Sequence, residues 1–69
     1  MGDPRLGSHL KQVRTEAGLT QAELAERIGV SRKTINTVEN GVFIPSTLLA
    51  LDLARALGTS VEALFFLKD

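Results

Sequence analysis

Apolar residues recur at helical spacing through most of the chain, and polar punctuation divides them into five segments. Leu6, Leu10, Val13 and Ala17 fall at i, i+4, i+7 and i+11, so a first helix with one buried stripe is expected. Asp3-Pro4 reads as its N-cap followed by proline in the first turn, where a missing N–H costs nothing. Gly18 ends it, and Met1 and Gly2 read as frayed. Thr20 and Glu23 form a T-x-x-E capping box that opens a second helix, with Leu24, Ala25 and Ile28 on one face. Gly29 lets the backbone leave that helix in a left-handed conformation, and Ser31 caps a third in which Ile35 and Val38 point inward. Ser46 caps a fourth, whose inner face is Leu49, Ala50, Leu53, Ala54 and Leu57 before Gly58 stops it. Ser60 caps a last short helix through Val61, Leu64 and Phe65. The expected helices are 4–17, 21–28, 32–40, 47–57 and 61–66, an all-α single domain over residues 1–69.

The stretch from Gln21 to Asn40 is two short helices joined by a tight turn containing Gly29, which is helix-turn-helix geometry. At about 100° per residue, Arg32, Lys33, Asn36, Thr37 and Asn40 share one arc of the second of these helices, and Thr34, Ile35, Val38 and Glu39 share the opposite one. The outer arc therefore carries two cations, two amides and a hydroxyl, with no carboxylate. Such side chains reach phosphates and base edges in a major groove. An ordinary solvated face usually mixes acids with bases.

Composition narrows the field. Sixty-nine residues allow one domain with a small core. There is no cysteine, hence no disulfide or thiolate metal site. No segment approaches the roughly 20 apolar residues of a membrane span and no signal peptide is visible, so a cytoplasmic location is expected. The eight cations and eight carboxylates cancel and the pI is about 6.6, whereas nucleic-acid binders often carry a basic excess. Distribution offsets this: the acids of the first forty residues lie away from the outer arc, so the local potential there can be positive. Weak non-specific affinity and a modest salt dependence are expected. His9, the one histidine, has no second ligand or nucleophile near it in sequence and reads as a solvent-facing helix residue. No phosphate loop, paired carboxylates or nucleophile–base set occurs, so neither an enzyme nor a cofactor is expected.

Arg14, Gly18-Leu19-Thr20-Gln21, Ala22-Glu23-Leu24-Ala25, Gly29-Val30-Ser31 and Glu39-Asn40-Gly41 stand in one order along the chain. From Leu6 to Phe65 the sequence resembles the lambda-repressor and Cro-type helix-turn-helix family. The resemblance implies a compact five-helix domain whose second and third helices bind double-stranded DNA, usually as a homodimer. It places base contacts on Arg32, Lys33 and Thr37, and backbone contacts on Gln21, Thr34 and Asn40, with Asn36 at the edge. It pairs Arg14 with Glu39 in a partly buried salt bridge. The run Gly41-Val42-Phe43-Ile44-Pro45 departs from the family, whose members often carry a cation after the E-N-G. Here any phosphate contact is expected from backbone N–H groups, with Phe43 plugging the core. Leu48 and Leu51, beside Asp52 and Arg55 on the outer arc of the fourth helix, and Phe66 and Leu67 near the end are candidate dimer contacts. The implied function is a homodimeric repressor reading an inverted repeat through the third helix. The alternative is a protein-interaction module, such as the antitoxin of a toxin pair.

Overall fold

The computed structural model describes residues 3–68. Two short strands and five helices follow one another as β1 (Leu6–Ser8), α1 (Leu10–Glu16), α2 (Gln21–Ile28), α3 (Arg32–Glu39), α4 (Thr47–Ala56), α5 (Val61–Leu64) and β2 (Phe65–Leu67). Each helix supplies one fully buried side chain to the centre: Leu10, Leu24, Ile35, Leu53 and Leu64 all have 0% exposure. Val38, Ala25, Ala50, Ala54 and Phe65 complete the core, with Val13, Leu49 and Leu57 among the side chains packed partly buried against it. Oxygen caps open four of the helices. Thr20, Ser31, Ser46 and Ser60 each accept the backbone N–H three residues on, so the local sequence sets where those helices begin.

The two ends depart from the expected helices. Residues 4–9 are not helical: Asp3 accepts the Leu6 N–H at 3.0 Å through its carbonyl and the Arg5 N–H at 2.9 Å through its carboxylate, with Pro4 inside the turn. Asp3 thus caps a turn, and the first helix starts only at Leu10, whose N–H donates to Ser8 Oγ at 3.1 Å. Gly7 explains part of the difference, since glycine within a helix costs about 1 kcal/mol relative to alanine. Of the expected stripe, Leu10 is buried, Leu6 and Val13 are half-buried and Ala17 is exposed. At the other end α5 stops at Leu64, and Phe65 turns extended with φ −133° and ψ 147°. Phe65–Leu67 pairs antiparallel with Leu6–Ser8, matching Leu6 with Leu67, Gly7 with Phe66 and Ser8 with Phe65. The His9 N–H donates to the Leu64 carbonyl at 2.7 Å, so the ribbon joins directly onto α1 and α5. His9 precedes the helix instead of lying within it, and its ring stacks on Phe66 with centroids 4.5 Å apart. The reading of Met1 and Gly2 lies outside the described residues.

Candidate nucleic-acid interface

Local chemistry builds the α2–α3 unit. Glu23 N–H donates to Thr20 Oγ1 at 3.0 Å while Thr20 N–H donates to Glu23 Oε1 at 2.9 Å, the reciprocal pair of a capping box. The Thr20 main-chain N–H, and then its hydroxyl, holds the Glu23 carboxyl below the usual glutamate value. Gly29 takes φ 75°, a left-handed conformation that side-chain-bearing residues rarely adopt, and lets Val30 N–H return to the Ala25 carbonyl at 3.0 Å. The chain then re-enters helix at Ser31, whose Oγ accepts from Thr34 N–H at 3.1 Å.

Ile35 and Val38 are the buried face of α3, which fixes its rotation. Arg32, Lys33, Asn36 and Asn40 are consequently exposed and Thr37 half-buried. Glu39 turns inward. Its side chain is 1% exposed and takes Arg14 Nε on Oε2 at 2.6 Å and Arg14 Nη2 on Oε1 at 3.2 Å, a two-point pairing of guanidinium and carboxylate. Arg14 Nη1 also donates to the Leu19 carbonyl at 2.8 Å, which ties the end of α1 to the entry of α2. The one carboxylate of α3 is thereby neutralised inside the protein, and its outward face is left with Arg32 and Lys33 as the charged groups.

From Glu39 a hydrogen-bond chain runs outward. Gln21 Nε2 donates to Glu39 Oε1 at 2.9 Å and to Asn36 Oδ1 at 3.2 Å, and Asn40 Nδ2 donates to the same Asn36 oxygen at 3.1 Å. A carboxylate can only accept, so the Gln21 amide must turn its nitrogen inward. Both Gln21 side-chain donors are then spent. Asn36 is left with its NH₂ to offer, and Asn40 with one N–H and its oxygen. The main-chain N–H groups of Gln21 and Ala22, in the first turn of α2, have no acceptor among the described residues. They border an open concavity of about 620 Å³ whose rim includes Gly18, Thr20 and Arg32. Orphan donors at a helix start favour an anion.

The loop after α3 differs from expectation in two ways. Its backbone donors are largely committed: Gly41 N–H goes to the Val38 carbonyl at 3.2 Å, and Val42 and Phe43 N–H both go to the Thr37 carbonyl at 2.9 and 3.2 Å. They cannot also serve a phosphate. Phe43 does not plug the core, where Ile35, Val38 and Leu53 already fill the space; it is 43% exposed and lies against α3. Sequence reasoning missed this placement, and it missed the Gln21–Asn36–Asn40 linkage. The Gln21–Glu39 contact spans 18 positions, and no local periodicity announces it.

Away from this face, Leu48, Leu51 and Leu67 are more than half exposed and Phe66 is 39% exposed. Leu51 flanks an apolar recess of about 250 Å³ with Leu6, Ile44, Val61 and Phe65, and Phe66 and Leu67 flank a second that shares Leu6 and Phe65. Among the described residues no cluster of His, Cys, Asp or Glu could hold a metal ion, and no helix is long and apolar enough to cross a membrane.

Comparison with known proteins agrees with this geometry. The family model described as Helix-turn-helix (HTH_3) matches residues 10–64. An "uncharacterized HTH-type transcriptional regulator" of Methanothermobacter thermautotrophicus is 49% identical over 61 residues, covering 87% of this chain and 88% of that one. The structure of the restriction-modification controller protein C.AhdI from Aeromonas hydrophila superposes with a TM-score of 0.73 at 36% identity, over 77% of this chain and 80% of that one. The clp gene regulator ClgR from Corynebacterium glutamicum gives 0.74 at 35% identity, over 78% of this chain and 57% of that longer one. The chain belongs to the helix-turn-helix (HTH_3) family of transcriptional regulators, which are DNA-binding proteins and not enzymes.

Proposed function

We propose that the protein is a cytoplasmic, homodimeric repressor that reads an inverted-repeat operator through α3 in the major groove. The observation that carries this reading is the outward face of α3, where two exposed cations and two exposed amides stand free of carboxylates because Glu39 is folded inward against Arg14. Arg32, Lys33 and Thr37 make the base contacts. Asn36 and Asn40 offer amide donors to the backbone at the edge of the helix, with Thr34 beside them. Gln21 meets a phosphate through its main-chain N–H, since its side chain holds Asn36 and Glu39.

A homodimer fits this reading. The molecule measures 31 × 21 × 20 Å and carries a single α3, whereas successive major grooves on one face of DNA lie about 34–36 Å apart. Two copies are needed to fill both. Leu51, Phe66 and Leu67 flank recesses that include no residue of α3, and Leu48 precedes Leu51 by about one turn of α4, so a two-fold contact there would leave both recognition helices free. Bound over a promoter, such a dimer would repress by occluding polymerase.

The test is selection of bound duplexes from a random pool, repeated with Arg32→Ala/Lys33→Ala. Wild type is expected to enrich a palindrome. The double variant is expected to lose roughly 1–3 kcal/mol for each base contact removed, with its fold intact by circular dichroism. No enrichment by folded wild type at low salt would overturn the reading. It would favour the protein-interaction alternative, an antitoxin docking its partner on the exposed apolar loop and tail, through Phe43, Phe66 and Leu67.

A further inference from the structure

Phe43 is the large side chain that neither the core nor the proposed readout uses. Its position is held firmly: the two hydrogen bonds from Val42 and Phe43 N–H to the Thr37 carbonyl bind the loop to the last turns of α3. Successive loop residues face opposite ways. Ile44 lines the recess next to the ribbon, and Phe43 lines a separate recess of about 210 Å³ with Ser31, Lys33, Thr34 and Thr37. The hydroxyls around that second recess are engaged internally, Ser31 Oγ with Thr34 Oγ1 at 3.0 Å and Thr37 Oγ1 with the Thr34 carbonyl at 3.0 Å. The aromatic ring, the threonine methyl groups and the aliphatic stem of Lys33 leave its wall mainly apolar.

This recess opens between two of the residues assigned to base contact, Lys33 and Thr37. In the major groove, guanine, cytosine and adenine present donors and acceptors, and thymine alone adds an apolar group, the C5-methyl. A mainly apolar recess at the edge of a polar reading face therefore matches one base. We propose that Phe43 is a specificity-determining residue and that the Phe43–Thr37–Lys33 recess takes the methyl edge of a thymine in each half-site. The inference rests on the DNA-reading function proposed above and adds to it the base that this part of the face selects.

Deoxyuridine provides the test, because it keeps the pairing and the O4 acceptor of thymine and lacks only the methyl. Each thymine of the selected half-site is replaced in turn by deoxyuridine, and binding of the full-length protein is measured by fluorescence anisotropy. One position per half-site is expected to lose about three- to fivefold in affinity, the size of one buried methyl. With Phe43→Ala, that thymine-to-deoxyuridine ratio should fall to about one, and Phe43→Leu should keep part of it. Circular dichroism checks that the variants fold, which an exposed position favours. If no position is sensitive to the methyl, or if Phe43→Ala preserves the ratio, the inference is overturned while DNA reading stands. If Phe43→Ala instead dissociates a dimer with the ratio unchanged, the ring belongs to a protein contact, and the inference is again overturned. A wild type that selects no duplex removes both.

Discussion

Replacing Arg14 with methionine removes a cation whose side chain is 9% exposed and strands a carboxylate, that of Glu39, which is 1% exposed. Three hydrogen bonds go with it: two to Glu39 and one to the Leu19 carbonyl. Gln21 still donates to Glu39 at 2.9 Å, but a single neutral donor does not balance a buried charge. Breaking one side of such a pair costs roughly 3–5 kcal/mol. A 69-residue domain has about 3–10 kcal/mol of total stability, so Arg14→Met is expected to remove roughly a third of it or more and to leave part of the population unfolded at 37 °C. Urea unfolding followed by circular dichroism reads this as a midpoint shift; with a slope near 1 kcal/mol/M the shift is several molar. Arg14→Lys keeps the charge but loses the planar fork and should recover only part of the loss. The decisive comparison is Arg14→Met/Glu39→Met. Both charges are then gone, so the double variant should be more stable than the sum of the single losses predicts, with a coupling of about 2 kcal/mol or more. A loss under 1 kcal/mol for Arg14→Met, or simple additivity of the two substitutions, would refute the account of this pair as buried and mutually dependent.

Three further outcomes follow from local geometry. Thr20→Ala should cost about 1 kcal/mol through loss of the cap on α2. Because the Glu23 carboxyl is held below its unfolded value by the Thr20 N–H, its contribution is fully present above the usual glutamate range and lost as pH falls through the lowered folded value. Glu23→Gln should therefore flatten the acid limb of a stability–pH profile from urea midpoints, and an unchanged limb would remove Glu23 from the account. Gly7→Ala would place a methyl group against Phe66 Cζ, far inside van der Waals contact with the ring. That ring is partly exposed and can swing aside, so the variant should fold, at a cost of about 0.5–1.5 kcal/mol, with the His9 stack lost. Ring-current shifts on the His9 imidazole protons measure the stack, and their persistence would contradict the packing described.

The central elements were legible because their signals are local. A T-x-x-E box, a left-handed glycine and a serine cap fall within a few residues of what they control, and α2 begins and ends at the expected residues. α3 and α4 each end one residue earlier than read. The ends of the chain were not legible in the same way. Three-residue strands are too short to show alternation, and Leu6 fits a helical stripe as well as a strand. Only the pairing of Leu6–Ser8 with Phe65–Leu67 decides between them, and that is a long-range event. The site divides similarly. The outward arc of α3 could be drawn from periodicity, and the inward turn of Glu39 agrees with its place on the opposite arc. The commitment of the Gln21 amide, the spent N–H groups of the loop and the position of Phe43 all depend on tertiary neighbours.

The ribbon also has a kinetic meaning. Leu6 and Leu67 lie about sixty residues apart in the chain, and closing a loop of that length costs roughly 3–4 kcal/mol of chain entropy. Two three-residue strands cannot meet such a cost alone. The helices, by contrast, are capped by neighbours in sequence and can form early. The strands can therefore register only after the packing of Leu10 and Leu64 has brought the two ends of the core together. On this ordering the ribbon is a clasp, and its amides are expected to exchange with solvent hydrogen faster than those of the helical body it fastens.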